Sequence, residues 1–253
     1  PHDLVVHGHL TINGEKMSKS RGTFITAQRY LEAQNPEFLR FYYAANLTRA
    51  LSDFDLDEDD FKSKINNDLI ANLANFIYRV LSFANNNFDS KLSKCNEPKE
   101  FVEQFEQKIK TAKQNYEACN FREAIRTILE IGASGNKYFQ ENEPWQMVKK
   151  DKKRCQEVVT FAANIAKNIS ILLAPVLPKF SVQICKQLSL DRPLMDETNF
   201  SLENKKINKA KIIFAKIEGQ ALPIHAAPSF PLNLRVAEIK SAEDHPDADK
   251  LYV

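Results

Sequence analysis

Ile65-Asn66-Asn67-Asp68-Leu69-Ile70-Ala71-Asn72-Leu73-Ala74-Asn75-Phe76-Ile77-Tyr78-Arg79-Val80-Leu81 is the stretch that decides the fold class. Ile65, Leu69, Leu73, Ile77, Val80 and Leu81 recur at intervals of three and four, which draws one apolar stripe along a helix. Two further segments, from about 97 to 117 and from 120 to 140, read the same way, the second through Phe121, Ile125, Ile128, Leu129 and Ile131. The segment from 152 to 173 is apolar on most sides (Val158, Val159, Phe161, Ile165, Ile169, Ile171, Leu172), which predicts a helix at the centre of a packed group. Pro175 ends it, and 176–188 reads as a short fifth helix. Four or five antiparallel helices with short connections predict a mainly α chain, a helical bundle over 61–200.

What precedes the bundle reads differently. Leu4 to Ile12 is rich in β-branched and apolar residues, and Asn13-Gly14 follows as a turn, so a strand or short hairpin runs into an exposed loop over 15–23. Asn35-Pro36 opens a helix carrying Phe38, Leu39, Phe41, Tyr42 and Tyr43. Residues 52–57 alternate as a short edge strand, and Asp57-Glu58-Asp59-Asp60 stands where the next helix begins, at the positive end of its dipole. These elements make 1–60 a small α/β segment. Beyond the bundle, 201–231 is basic, irregular and punctuated by Pro223, Pro228 and Pro231, which reads as a linker. Residues 232–253 alternate as a strand should. One or two strands are not stable alone, so this tail reads as the truncated start of another domain.

Composition narrows the functions. The 253 residues carry 35 Lys+Arg against 33 Asp+Glu, a formal net charge of +2, so any nucleic-acid partner is met by a local patch rather than a uniformly basic surface. No run approaches the roughly 18 apolar residues of a membrane span. Six glycines disfavour a many-stranded β fold. Cys95, Cys119, Cys155 and Cys185 are scattered, as expected for reduced thiols of a cytoplasmic protein. The chain opens at Pro1 and stops at Val253, which reads as a piece of something larger.

The strongest chemical signal is Gly14-Glu15-Lys16-Met17-Ser18-Lys19-Ser20-Arg21-Gly22-Thr23. Two lysines three apart, two hydroxyls and an arginine on a glycine-flanked loop can close over a polyphosphate, with lysines as point charges and hydroxyls as donors. By composition alone, a solvated basic loop is an equal reading. It is not a Walker loop, which needs GxxxxGK[ST] opening a helix. His7-Gly8-His9 offers two imidazoles but no third ligand, and the carboxylates from Asp53 to Asp60 have Glu58 where a calcium loop needs glycine; no metal site is expected. Asn75 and Arg79 lie four apart on one helical face, and Trp145 follows Pro144 at the start of an element. On the residues alone a surface polar pair and a packed aromatic are the favoured readings, ahead of a base-reading pair and a stacking platform.

Lys16-Met17-Ser18-Lys19-Ser20 is the KMSKS signature of class I aminoacyl-tRNA synthetases. Val6 to Gly14, Phe38 to Ala45, Ile65 to Arg79 and the tail from Val236 to Lys250 resemble the methionyl-tRNA synthetase family in particular. The resemblance spans nearly the whole chain and is weakest between about 90 and 115. It implies the end of a catalytic domain with a tRNA stem-contact segment (1–60), an anticodon-binding bundle (61–200) and the start of an OB-fold tRNA-binding domain (232–253). Lys16 and Lys19 would then be catalytic, stabilising the triphosphate of ATP while the amino-acid carboxylate attacks the α-phosphate. Met17, Ser18 and Ser20 would complete the loop. Asn75, Arg79 and Trp145 would read the anticodon of tRNA(Met), with Trp145 stacked on its first base. Methionine and ATP with Mg2+ would be ligands of the full enzyme only, with no cofactor in this piece, no adenylation by it alone, and a possible homodimer through the OB-fold. The alternatives are another class I synthetase (for leucine, isoleucine, valine or cysteine) or a non-catalytic helical interaction module.

Overall fold

The computed structural model describes residues 6, 8–18, 24–192 and 194–223. The chain is mostly helical with one small sheet. Strands β1 (Leu10–Ile12), β2 (Glu15–Lys16) and β3 (Phe54–Leu56) lie in the order β2-β1-β3, β1 antiparallel to β2 and parallel to β3. Asn13 (φ 49°) and Gly14 (φ 76°) make the two-residue turn of the β1–β2 hairpin, where both central residues take positive φ. Glu15 and Lys16, expected in a loop, therefore belong to a strand. The acidic run is absorbed locally rather than gathered for a cation. Asp55 Oδ1 accepts from Gly14 N (2.9 Å) and Thr11 Oγ1 (2.6 Å), Asp53 Oδ1 accepts from His9 N, and Asp57 caps the next helix through Asp60 N. The tip of the hairpin is thus pinned by β3.

Helices α1 (Ala27–Ala33) and α2 (Pro36–Asn46) follow the hairpin. Asn35 caps α2 with Pro36 at its first position, as the sequence predicts. Tyr42 on α2 packs against Phe54 and Phe61 with centroids at 5.6 and 5.2 Å and donates to Asp60 Oδ2 at 2.8 Å, joining sheet to bundle. Glu37, buried, accepts from Lys179 N and Phe180 N and so caps the helix that starts there. Burial raises its pKa against those bonds.

The bundle opens with α3 (Glu58–Ser63), a π-helical stretch (Lys64–Ala74) and α4 (Asn75–Asn87), one continuous run. The wider π turn lets the adjacent pairs Leu69/Ile70 and Leu73/Ala74 all face inward. Then come α5 (Lys99–Glu117), α6 (Phe121–Glu141), α7 (Pro144–Lys150), α8 (Lys152–Leu173) and α9 (Pro178–Gln187). Helix α8 touches α4, α5, α6, α7 and α9, and residues 158–173 are all buried. Its buried polar groups hold the irregular segments beside it: Asn164 exchanges two hydrogen bonds with the backbone of Leu202, and Thr160 Oγ1 accepts from Ser93 N.

Over 201–223 the chain is packed and is not the expected linker. Residues 201–223 have almost no regular structure, yet Leu202, Ile207, Phe214, Ile217, Ala221 and Leu222 are buried. Phe214 stacks on Phe180 at 5.0 Å. Asn66 pairs with both backbone groups of Ile217, and Glu58 Oε1 accepts from Ala221 N and Leu222 N. It is a strap along the bundle. A short antiparallel bridge to Ser90–Ser93, side-chain amides and a carboxylate satisfy its backbone piecemeal, so no periodicity marks it. The remainder of the linker and the tail over 232–253 lie outside the described residues. Among the described residues, no helix is long and apolar enough to cross a membrane.

Lys167 on α8 is buried and donates to Asn199 Oδ1 at 2.7 Å. Burial pulls its pKa down to about 8, below its unfolded value. Its ammonium therefore opposes folding below that pH, and the opposition fades as pH rises toward about 10. The urea midpoint of wild type is expected to rise relative to that of Lys167→Met between about pH 7 and about pH 9.5 as this penalty is lost. Parallel midpoints would contradict the burial.

Candidate nucleic-acid interface

Asn75 is the first residue of α4 and half-buried, and Arg79 lies one turn on, exposed. The next turn of the same face brings Phe83. Helix α6 runs alongside because it carries glycine where a side chain would collide. A Cβ on Gly132 would lie 2.3 Å from Leu73 Cδ2, and one on Gly135 would lie 2.8 Å from Phe76 Cζ. This close approach places Asn136 against Arg79, whose Nη2 donates to Asn136 Oδ1. One turn further, Phe139 meets Phe83 edge-on at 6.1 Å.

Phe139 in turn meets Trp145 at 6.4 Å, interplanar angle 63°. Trp145 is the second residue of α7, behind Pro144, and 39% of it is exposed. The element reverses sharply at Glu143 (φ 40°), which sets the direction of α7. Arg79 and Trp145 are thus joined by a chain of contacts through Asn136, Phe83 and the buried Phe139, and Asn75 shares the Arg79 face of α4. Exposed Lys149 and Lys150 end α7, and exposed Lys152 and Lys153 begin α8. They are the local positive patch that a chain of net charge +2 needs if it meets RNA.

The second group of predicted residues belongs to the sheet. Lys16 is exposed on β2, Met17 packs against the core, and Ser18 is half-buried. Lys19 and Ser20 lie outside the described residues. Met17 is thus the apolar anchor of the motif, and Lys16 is on the solvent side. Among the described residues no group of three or more His, Cys, Asp or Glu side chains could hold a metal ion. The cysteines are free thiols; burial pushes Cys155 up to about 11, so it is protonated at neutral pH. Sequence reading missed Asn136, Asn72, Phe83 and Phe139. The signal available was Gly132 and Gly135, three apart within an apolar helical stripe, which marks a close helix crossing beside an amide.

Residues 1–81 match the family model described as tRNA synthetases class I (M), and residues 91–224 match the anticodon binding domain of methionyl tRNA ligase. The methionine–tRNA ligase of Vesicomyosocius okutanii is 37% identical over 220 residues, covering 86% of this chain and 40% of that protein. That of Bdellovibrio bacteriovorus is 33% identical over 243 residues, 96% of this chain and 35% of that protein. Among solved structures, Mycobacterium tuberculosis methionyl-tRNA synthetase in complex with methionyl-adenylate aligns with a TM-score of 0.67 at 20% identity, over 85% of this chain and 43% of that one. Its apo form aligns at 0.63 and 16%, over 81% and 42%. The sheet segment followed by this bundle is the arrangement of a class I tRNA synthetase. More narrowly, the chain belongs to the methionyl-tRNA ligase family. It spans 40% and 35% of the lengths of the two ligases compared by sequence.

Proposed function

We propose that the bundle binds the anticodon loop of a methionine tRNA, with Trp145 stacked on the first anticodon base and Asn75 and Arg79 bonding around it. The observation that supports this is the run of packed rings from Phe83, one turn beyond exposed Arg79 on α4, through buried Phe139 to the part-exposed Trp145. A planar ring offers a π-face to any unstacked base, while an amide and a guanidinium beside it supply direction. We further propose that the segment from Lys16 to Ser20 serves methionine activation in the complete ligase. There Lys16 and Lys19 would neutralise the triphosphate of Mg2+-bearing ATP as the methionine carboxylate attacks the α-phosphorus and pyrophosphate leaves. Ser18 and Ser20 would donate to phosphate oxygens. The 253 residues alone would bind RNA without forming the adenylate. The same reading makes 1–60 a stem-contact segment, makes 232–253 the start of an OB-fold through which copies could dimerise, and assigns the protein to the cytoplasm.

Arg79→Ala tests the anticodon assignment. Titration with an anticodon stem-loop is expected to show a loss of roughly tenfold or more at low salt, the scale of a hydrogen bond to a charged group. If the main partner is a phosphate, that loss shrinks as salt rises, and the slope of log K against log salt becomes shallower by about 0.7. Binding equal to wild type at both salt concentrations would remove Arg79 from the interface.

A further inference from the structure

Asn136 donates from Nδ2 toward three acceptors: the Asn72 carbonyl at 2.8 Å, Asn72 Oδ1 at 3.1 Å and the Gly132 carbonyl at 2.9 Å. Its Oδ1 points the other way and accepts from Arg79 Nη2. The amide has one permissible orientation. Turned over, its oxygen would face three oxygens and its NH2 would face the guanidinium, a donor against a donor. Asn72 is oriented in turn, because its own Nδ2 donates to the Leu129 carbonyl at 3.1 Å and leaves Oδ1 toward Asn136. A directed chain therefore starts at the backbone of α6, passes through Asn72 and Asn136, and ends on Arg79. The bare Gly132 keeps it open, since a Cβ there would lie 3.1 Å from Asn72 Oδ1.

The geometry points to Asn136 as a positioning residue that holds the Arg79 guanidinium in one rotamer, ready for the RNA; this rests on the anticodon reading above. An arginine on a helix surface has several rotatable bonds, and fixing them on binding costs affinity. One bond to Asn136 settles that orientation beforehand while leaving the other guanidinium N–H groups for a base edge or a phosphate. Asn136 itself need not touch the nucleotide.

The test is a double-variant cycle on the whole chain, titrated with an anticodon stem-loop of methionine tRNA well below each variant's melting midpoint. Asn136→Ala is expected to weaken binding about five- to tenfold. Combined with Arg79→Ala, it should add nothing beyond the Arg79→Ala loss within about twofold, while its loss should multiply that of Trp145→Ala. Asn136→Ser guards against loss of fold. Its hydroxyl can return to the Gly132 carbonyl but is too short for Arg79, so the same coupling is expected. A merely structural role would lower melting and make the Asn136 and Arg79 losses multiply, which would overturn the proposal. So would wild-type binding by both Asn136 variants while Arg79→Ala remains weak. If Arg79→Ala and Trp145→Ala both bind as wild type, the anticodon reading itself has failed, and the positioning role falls with it.

Discussion

Replacing Trp145 by alanine is expected to weaken binding of a methionine-tRNA anticodon stem-loop by roughly 5- to 150-fold, the scale of one lost base-stacking platform of about 1–3 kcal/mol. The melting temperature should hardly move. Trp145 is 39% exposed at the second position of α7, and among the described residues its ring contact is the edge-on meeting with Phe139 at 6.4 Å. Pro144, buried at the first position, starts the helix and remains in place. Stacking involves no counterion release, so the Trp145 loss should be nearly the same at low and high salt, unlike that of Arg79→Ala. A variant that binds RNA like wild type but melts many degrees lower would make Trp145 a packing residue, and the anticodon assignment would lose its platform.

The bundle and its candidate interface were legible in the sequence to different degrees. Helices α5, α6, α8 and α9 follow from apolar spacing because each buries one stripe, or in α8 nearly every side. The hairpin and β3 follow from Asn13-Gly14 and the alternation around Phe54. Arg79 and Trp145 could be picked out through the family resemblance; the helical period and the proline only place Asn75 and Arg79 on one face and Trp145 at the start of α7. Asn136 could not, because its role depends on how closely α6 approaches α4, which spacing within one helix does not state. The strap over 201–223 escaped for a related reason. Its buried residues have no common period, and its backbone partners Asn66, Glu58 and Asn164 stand far away in sequence. Sequence patterns report an element's own geometry; they are silent where a segment borrows its hydrogen bonds from another element.

Phe161→Ala is expected to produce the opposite signature to Trp145→Ala. Phe161 is fully buried on α8 and lies at the meeting point of Phe101 and Phe105 from α5, Tyr138 from α6 and Phe200 from the segment leading into the strap, with centroids between 5.0 and 5.6 Å. Removing the ring takes away its burial and leaves a cavity that three helices and an irregular segment would have to close together. Such truncations cost about 3–5 kcal/mol. In a chain of this size that lowers the melting midpoint by roughly 6–20 °C. Phe161→Leu, which refills much of the volume, should lose far less. Helix α6 carries Asn136 and Phe139 on its α4 side and Tyr138 toward this cluster, so the interface depends on the cluster only through the position of α6. Well below its lowered midpoint, Phe161→Ala should therefore bind the stem-loop within a fewfold of wild type, and lose binding as the bundle melts. Calorimetry beside titration at two temperatures separates the cases. A midpoint lowered by only a degree or two would show that the ring cluster does not hold the bundle together. A large loss of affinity in the still-folded variant would show that α6 shifts when the ring is removed, and with it the chain of contacts from Arg79 to Trp145.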